Sequence, residues 1–266
     1  MKPRYWLAAL SLAVLAIGVS QTLQGDEKKT PSFGALEAAS PETARAKAEA
    51  WLKEVGKADA QTMQRFQGIW AQDDRTVLDR LSDTFALGND QVAKLLADAR
   101  DPLTPIAATI PEILKDAKNS AFFRNNLGLA YARALSIRRG HDEALVVLKS
   151  IRPEDVAAPA TYLFTRAVCE HATLQREEAT RSIVRLLEDG AGSPERYRTV
   201  SALMLLDMQT GKDKDLGAVA RKMNVIGERL DIAKGGPQTQ KLQKEVILRL
   251  DELIKELENK AKGGGS

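Results

Sequence analysis

Apolar residues recur every three or four positions along almost the whole chain after residue 40, which is the period of an amphipathic α-helix. The first such helix is predicted to begin at Ser40-Pro41-Glu42, because serine is a good N-cap, proline suits the first helical position and glutamate suits the first turn. Asp73-Asp74 and Asn89 are predicted to begin two later helices. No stretch shows the sustained alternation of a β-strand. The pattern therefore predicts an all-α protein.

Prolines and glycines divide this helical pattern into regions. Residues 41–101 are predicted to form an N-terminal helical subdomain, and the proline-rich residues 102–118 a bent connection with at most one helical turn. From 119 to 234 the helices come in pairs joined by short connections. After Gly235-Gly236-Pro237 the pattern predicts a C-terminal amphipathic helix at 238–262, followed by a flexible tail at residues 263–266.

The chain begins with MKPRYW, a short basic region, and continues with the apolar LAALSLAVLAIGVS. This layout is typical of a secretory signal peptide, predicted here for residues 1–20 with cleavage between Ser20 and Gln21. Residues 21–40 are then predicted to be a flexible linker. The protein is expected to be exported to the periplasm or cell envelope, or secreted. Membrane association is expected only if the N-terminal segment stays uncleaved, and that segment is shorter than the usual span.

Charge and cysteine content narrow the classes of function. Loss of residues 1–20 removes Lys2 and Arg4 and no acidic residue, which lowers the formal net charge from +3 to +1. A nearly neutral chain lacks the basic footprint of a nucleic-acid-binding protein, and the pair Arg138-Arg139 is interpreted as a solvated helix end. Cys169 is the single cysteine, so no intramolecular disulfide can form.

The first helix pair, NNLGLAYARALSIRRGHDEALVVL, resembles a tetratricopeptide repeat. Leu127, Gly128 and Tyr131 match the Leu-Gly-x-x-Tyr core of its first helix, and Ala144 and Leu148 match the small and large positions of its second helix. The connection between the two helices is about four residues longer than the consensus.

The second pair keeps Ala167 and Ala179 at the expected separation but has Arg166 at a normally apolar position, and the third pair matches only in architecture. The resemblance implies antiparallel helix hairpins stacked as a right-handed α-solenoid, with the C-terminal helix as a capping element. Through WLKEVGKADA, RTVLDRLSDTFALG, FFRNNLGLAYAR and QKEVILRLDELIKELE the chain is also similar to uncharacterised exported helical-repeat proteins of planctomycete-type bacteria.

In tetratricopeptide repeats the first helices line a concave surface that binds a protein or peptide. The resemblance therefore nominates Asn125, Arg133, Phe164 and His171 as partner-binding residues. Leu129 and Val168 are apolar at neighbouring positions, so the expected surface is not strongly charged. The predicted function is that of a non-catalytic scaffold for protein–protein interaction.

Few residues offer catalytic chemistry. His141 is interpreted as a solvated turn residue, and Cys169 as a small buried apolar residue that lies on the opposite helix face from His171. The common metalloprotease, hydrolase and phosphate-binding motifs do not occur. No catalytic, cofactor or metal site is therefore predicted. The least favoured hypothesis is an envelope-associated hydrolase that uses a pair of carboxylates.

The C-terminal helix has a wide apolar face flanked by charges, formed by Val246, Ile247, Leu250, Leu253, Ile254 and Leu257. A coiled-coil seam would be narrower and longer, so intramolecular packing and a monomer are favoured. The alternative is a structural or assembly protein that forms a homodimer through this helix.

Overall fold

The computed structural model of the protein describes residues 36–190, 192–211 and 214–263. All of them belong to one unit of the chain, Pro31–Ser266. The predicted signal segment, the first fifteen residues of the predicted linker 21–40 and residues 264–266 of the predicted tail lie outside the described residues. Within the described ranges, no helix is both long and apolar enough to cross a membrane.

The described residues are mostly helical, with one short 3₁₀ turn at Pro153–Asp155 and no strand in these ranges, so the all-α prediction is confirmed for them. The helices are α1 Pro41–Glu54, α2 Ala60–Trp70, α3 Val77–Gly88, α4 Asp90–Arg100, α5 Glu112–Lys115, α6 Ala121–Ile137, α7 His141–Leu148, α8 Pro159–Ala172, α9 Arg176–Asp189, α10 Glu195–Thr210, α11 Leu216–Asp231 and α12 Pro237–Gly263.

Side-chain caps set several helix starts. Ser40 accepts a hydrogen bond from the backbone N–H of Thr43, and Asn89 accepts two at the start of α4, as their positions in the sequence indicate. The start of α3 differs from the prediction. Its N-cap is Thr76, whose hydroxyl accepts from the N–H of Asp79, and Asp73-Asp74 lie in the preceding turn.

A continuous apolar core runs from the N-terminal helices as far as α10, separate from the small core of the last two helices. Trp51 of α1 stacks on Phe123 of α6 with ring centroids 4.9 Å apart, and Phe85 of α3 meets each ring edge-on at 5.0 Å. All three side chains are buried. The core therefore continues across the proline-rich connection at 102–118.

Gly88 lets α3 approach this aromatic cluster. A Cβ atom there would lie 2.5 Å from Trp51 Cζ3 and 2.8 Å from Leu52 Cδ2. We expect Gly88→Ala to lower the free energy of unfolding by about 1–3 kcal/mol, because the core must shift to admit the methyl group. Gly68, exposed in α2, has open space around its Cα, so Gly68→Ala should raise stability by about 0.5–1 kcal/mol. Denaturant titration of both variants tests the contrast, and equal effects would contradict the tight packing at Gly88.

Two basic residues predicted to be a solvated helix end have different roles. The guanidinium of Arg138 donates to the carbonyls of Asp98, Pro102 and Thr104 and so fixes the proline-rich connection to the end of α6. Arg139, more exposed, lies 3.4 Å from Asp231 of α11. The interpretation as a solvated end is therefore wrong for Arg138.

The last five residues of the predicted linker are held against the helical unit. Leu36 is buried, and its N–H donates to the carbonyl of Asp189 at the end of α9. The N–H of Ala39 donates to the carbonyl of Ala157 just before α8. The chain is thus already fixed in place before α1 begins.

The later helices pack as hairpins and as parallel neighbours. α6 packs on α7, and α8 packs on α9 and also contacts α6 and α7. α8 and α10 run side by side in the same direction, because Thr161 meets Tyr197 at 3.5 Å and His171 meets Asp207 at 3.2 Å, both across 36 residues. α10 also contacts α9.

The last two helices form an antiparallel hairpin of their own. Lys222 of α11 pairs with Glu245 of α12 at 2.7 Å, and Arg229 donates to Thr239 at 2.8 Å. Between them the buried Val219 and Ile226 pack with Val246, and Leu242, Leu250 and Leu253 lie against this small core. One side of the predicted apolar face of α12 is therefore packed within the chain. On the other side Ile247, Ile254 and Leu257 are more than half exposed.

Candidate interaction groove

Three helices, α6, α8 and α10, share a surface groove of about 350 Å³. Arg133 and Ile137 line it from α6, Phe164 and Val168 from α8, and Arg196, Tyr197 and Val200 from α10. Arg133 and Ile137, and likewise Phe164 and Val168, are four positions apart, and Val200 is three or four positions from Tyr197 and Arg196, which places each set on one side of its helix. We call this surface the α6–α8–α10 groove.

A stacked aromatic pair lines the groove. The rings of Phe164 and Tyr197 are nearly parallel, with centroids 4.1 Å apart. Tyr197 is buried, and its hydroxyl lies 3.5 Å from that of Thr161. The pair is thus fixed in position by contacts between α8 and α10.

Charge in the groove comes from two arginines in different situations. Arg133 donates to Asp79 of α3 at 2.8 Å. Burial opposes ionisation of Asp79, but the hydrogen bond from Thr76 and the charge of Arg133 outweigh it and lower its pKa. Arg196 is exposed and lies over the ring of Tyr197, with its guanidinium carbon 5.1 Å from the centroid. Arg133 is therefore largely neutralised, whereas Arg196 presents its charge to solvent.

Exposed apolar side chains also line the groove. Ile137 at the end of α6 is 75% exposed, and Val200 of α10 is also exposed. Apolar groups held open to water in a concave site are favourable contacts for an apolar ligand side chain. The groove combines these groups with the cation of Arg196.

The four nominated residues do not share one site. Arg133 and Phe164 both line the groove. Asn125 lines a separate cavity of about 180 Å³ that also involves α5 and α7. His171 lines a cavity of about 550 Å³ between α8, α10 and α11, where its Nε2 lies 3.2 Å from Asp207 Oδ2.

Tyr197 and Arg196 also line the groove, but the sequence analysis did not predict them as partner-binding residues. The third helix pair matches the repeat pattern too weakly to align position by position. A usable signal was the separation of 33 residues between Phe164 and Tyr197, about one repeat length.

His141 differs from its interpretation as a solvated turn residue. It is the first residue of α7 and is partly buried, because the end of α11 covers this helix start through pairs between Arg229 and Asp142 and between Lys234 and Glu143. Its Nδ1 is buried and has no hydrogen-bond partner. Burial disfavours the charged imidazole and lowers its pKa.

Cys169 is fully buried, as its sequence context indicates. Burial raises the pKa of its thiol to about 12, so the nucleophilic thiolate is not populated near neutral pH. Across the described residues, no three histidine, cysteine or acidic side chains converge in an arrangement that could hold a metal ion.

Comparison with protein-family models, with curated proteins and with solved structures finds no match to this chain.

Proposed function

We propose that the protein is a non-catalytic, exported helical-repeat scaffold that binds a protein or peptide in the α6–α8–α10 groove. The observation that carries this proposal is the joint groove of three helices, which is lined by the stacked rings of Phe164 and Tyr197. Such an arrangement supplies contact area and shape, and recognition of a peptide needs no reactive group.

The proposal includes a tetratricopeptide-like solenoid, in which α6 and α8 are the first helices of successive hairpins and α10 continues the row beside α8. Two features support it. The contacts between α8 and α10 both span 36 residues, close to the length of such a repeat. In addition, α8 contacts both helices of the preceding hairpin, α6 and α7, as stacked repeats do.

The chemistry of the groove favours one class of ligand. The apolar walls suit an apolar or aromatic side chain packed beside Phe164 and Tyr197. Among the described residues, Arg196 has no carboxylate partner at ion-pair distance. We therefore expect an extended peptide in which an apolar residue is flanked by an acidic residue or a terminal carboxylate.

The lack of a role in catalysis is part of the proposal and has its own support. The buried Cys169 and the partly buried His141 belong to different helices, and Glu170, a fully buried carboxylate, is engaged by Arg166 and Ser182. None of these groups lines the α6–α8–α10 groove.

Matched surface variants test the groove. We expect Ile137→Glu and Arg196→Glu each to weaken partner binding about 10-fold or more, because they place a repelling or desolvated acidic group in the site. Arg133→Glu is a poorer test, since it would also break the pair with Asp79. The measurement is quantitative affinity capture from the native cell envelope with each variant as bait.

The controls are exposed positions outside the groove. Val146→Glu on α7 and Arg198→Glu on α10 introduce the same charges but should retain all partners. The stability of all four variants should stay within about 0.5 kcal/mol of wild type, because the positions are on the surface. Partners retained equally by groove and control variants, or an absence of partners for the wild type, would refute the proposed function.

A further inference from the structure

Helix α12 carries two apolar seams, and α11 covers only one. Ile247, Leu250, Ile254 and Leu257 follow one another at steps of three, four and three residues, the a and d spacing of two heptads. Leu250 touches the hairpin core at its edge, whereas Ile247, Ile254 and Leu257 are more than half exposed. We call these four residues the outer seam.

Helix α11 extends the same exposed surface. Its Leu216 and Met223 are seven residues apart, lie on one helix face and are more than half exposed. Viewed along each helix from its N-terminus, Leu216 and Met223 are rotated away from the α11–α12 contact in the same direction as Ile247 and Ile254 are on α12. In an antiparallel pair, positions rotated in the same sense lie on the same flank. The pairing of Lys222 with Glu245 then places Met223 within about one turn of Ile247.

We infer that this surface, the outer seam with Leu216 and Met223, binds the same surface of a second copy of the chain, giving a two-fold homodimer. Apolar side chains of this number on one face are a common mark of an interface. A two-fold dimer brings the same patch of both subunits together, so the apolar centre of one surface would pack on the apolar centre of the other.

The area of this surface is close to the smallest area that a specific dimer interface buries. α11 has 16 residues and is therefore about 24 Å long, and two adjacent helices are about 20 Å wide. The hairpin face thus offers about 500 Å² per subunit, or about 1,000 Å² in total, close to the minimum for a specific interface.

The charges beside the outer seam favour an antiparallel contact between the two α12 helices. Lys244 and Glu258 lie seven residues on either side of Asp251 on the same edge of the seam. An antiparallel alignment centred near Asp251 brings Lys244 opposite Glu258 of the partner subunit, and the two-fold symmetry gives this pair two times. The same alignment places Ile247 opposite the apolar end of the partner's seam. The two copies of Asp251 face each other at the exposed edge, which limits affinity. The acidic residues on this edge also make it poorly suited to an anionic lipid surface.

The inference revises the expectation of a monomer. From the sequence, the whole apolar face of α12 was available for packing within the chain. In the structure α11 uses the side at Leu242, Val246 and Leu253 and leaves the outer seam open. The proposed dimer uses helices other than α6, α8 and α10, so it can fail while the proposed function holds.

Two neighbouring residues provide a matched test. Ile247 and Leu248 are 59% and 63% exposed, but Leu248 lies on the far side of α12 from both seams. We expect the full-length wild type and Leu248→Glu to sediment at twice the chain mass at micromolar concentration. Ile247→Glu should sediment as a monomer, with association weakened about 100-fold or more, because it buries an unpaired charge in the interface. Circular dichroism should give all three the same helix content.

Charge reversal tests the alignment. Lys244→Glu should weaken the dimer several-fold, and the double variant Lys244→Glu with Glu258→Lys should restore it, as opposite charges again face each other. A monomeric wild type, equal dissociation by Ile247→Glu and Leu248→Glu, or failure of the double variant to restore association would each overturn the inference. A monomeric wild type that binds phosphatidylglycerol vesicles would assign the surface to a membrane instead.

Discussion

Trp51→Ala is expected to lower the free energy of unfolding by about 3–5 kcal/mol. Trp51 is buried, stacks on Phe123 and meets the edge of Phe85, so its removal leaves a cavity where α1, α3 and α6 meet. The neighbouring Gly88 adds no side chain that could fill the space. Denaturant unfolding followed by circular dichroism measures the loss.

The conservative variant Trp51→Phe provides the control. It keeps an aromatic ring beside Phe123 and should therefore lose less than half as much stability as Trp51→Ala. Because the core runs from α1 into α6, both variants should unfold in a single transition that includes the helices of the groove. A separate early transition of α1–α4 would show that the N-terminal helices are an independent subdomain.

Local signals explain why many helix boundaries could be predicted from the sequence. Ser40 and Asn89 cap their helices through side-chain oxygens that reach only two or three residues ahead. The predicted start of α3 was wrong because several neighbouring residues offer the same local capping signal. Asp73, Asp74 and Thr76 are all competent caps, and only Thr76 stands immediately before the residue from which the helix continues.

Contacts between distant helices could not be predicted in the same way. The sequence pairs α10 with α11, but α10 packs on α8 and α9, and α11 packs mainly on α12. Each of these helices has an apolar stripe that several neighbours could cover, and the stripe does not specify which one. The carboxylate partners of Arg229 and Lys234, Asp142 and Glu143, are about 90 residues away in sequence, and helical periodicity carries no information on such pairs.

The same limit applies to the candidate site. Helical spacing and the repeat resemblance nominated Arg133 and Phe164, which do line one groove. They also nominated Asn125 and His171, which open into other cavities. His171 lies two turns from Phe164 on the same face of α8, whereas Asn125 is rotated by about 80° from Arg133 around α6. Helical spacing alone therefore did not specify which of these side chains share one cavity.

Arg166, which departs from the repeat pattern, belongs to a buried polar network. Its Nε donates to Glu170 Oε1 at 2.8 Å, and its Nη1 donates to the hydroxyl of Tyr162 at 3.2 Å. Ser182 of α9 donates to Glu170 Oε2 at 2.6 Å. Glu170 is fully buried, so the network joins α8 to α9 with both carboxylate oxygens satisfied. The charged residue at an apolar repeat position is therefore compensated within the same hairpin.

Glu170→Ala is accordingly expected to lower the free energy of unfolding by about 3 kcal/mol, because it leaves Arg166 without its partner and Ser182 without its acceptor. Partial exposure of the Arg166 side chain keeps this loss near the lower end for a broken buried pair. The triple variant Arg166→Met, Glu170→Leu and Ser182→Ala replaces the whole network with apolar groups. It should recover to within about 1 kcal/mol of wild type, because no buried charge then remains unpaired. If thermal and denaturant unfolding instead give the triple variant the same loss as Glu170→Ala, the cost arises from packing volume and the network does not act as a unit.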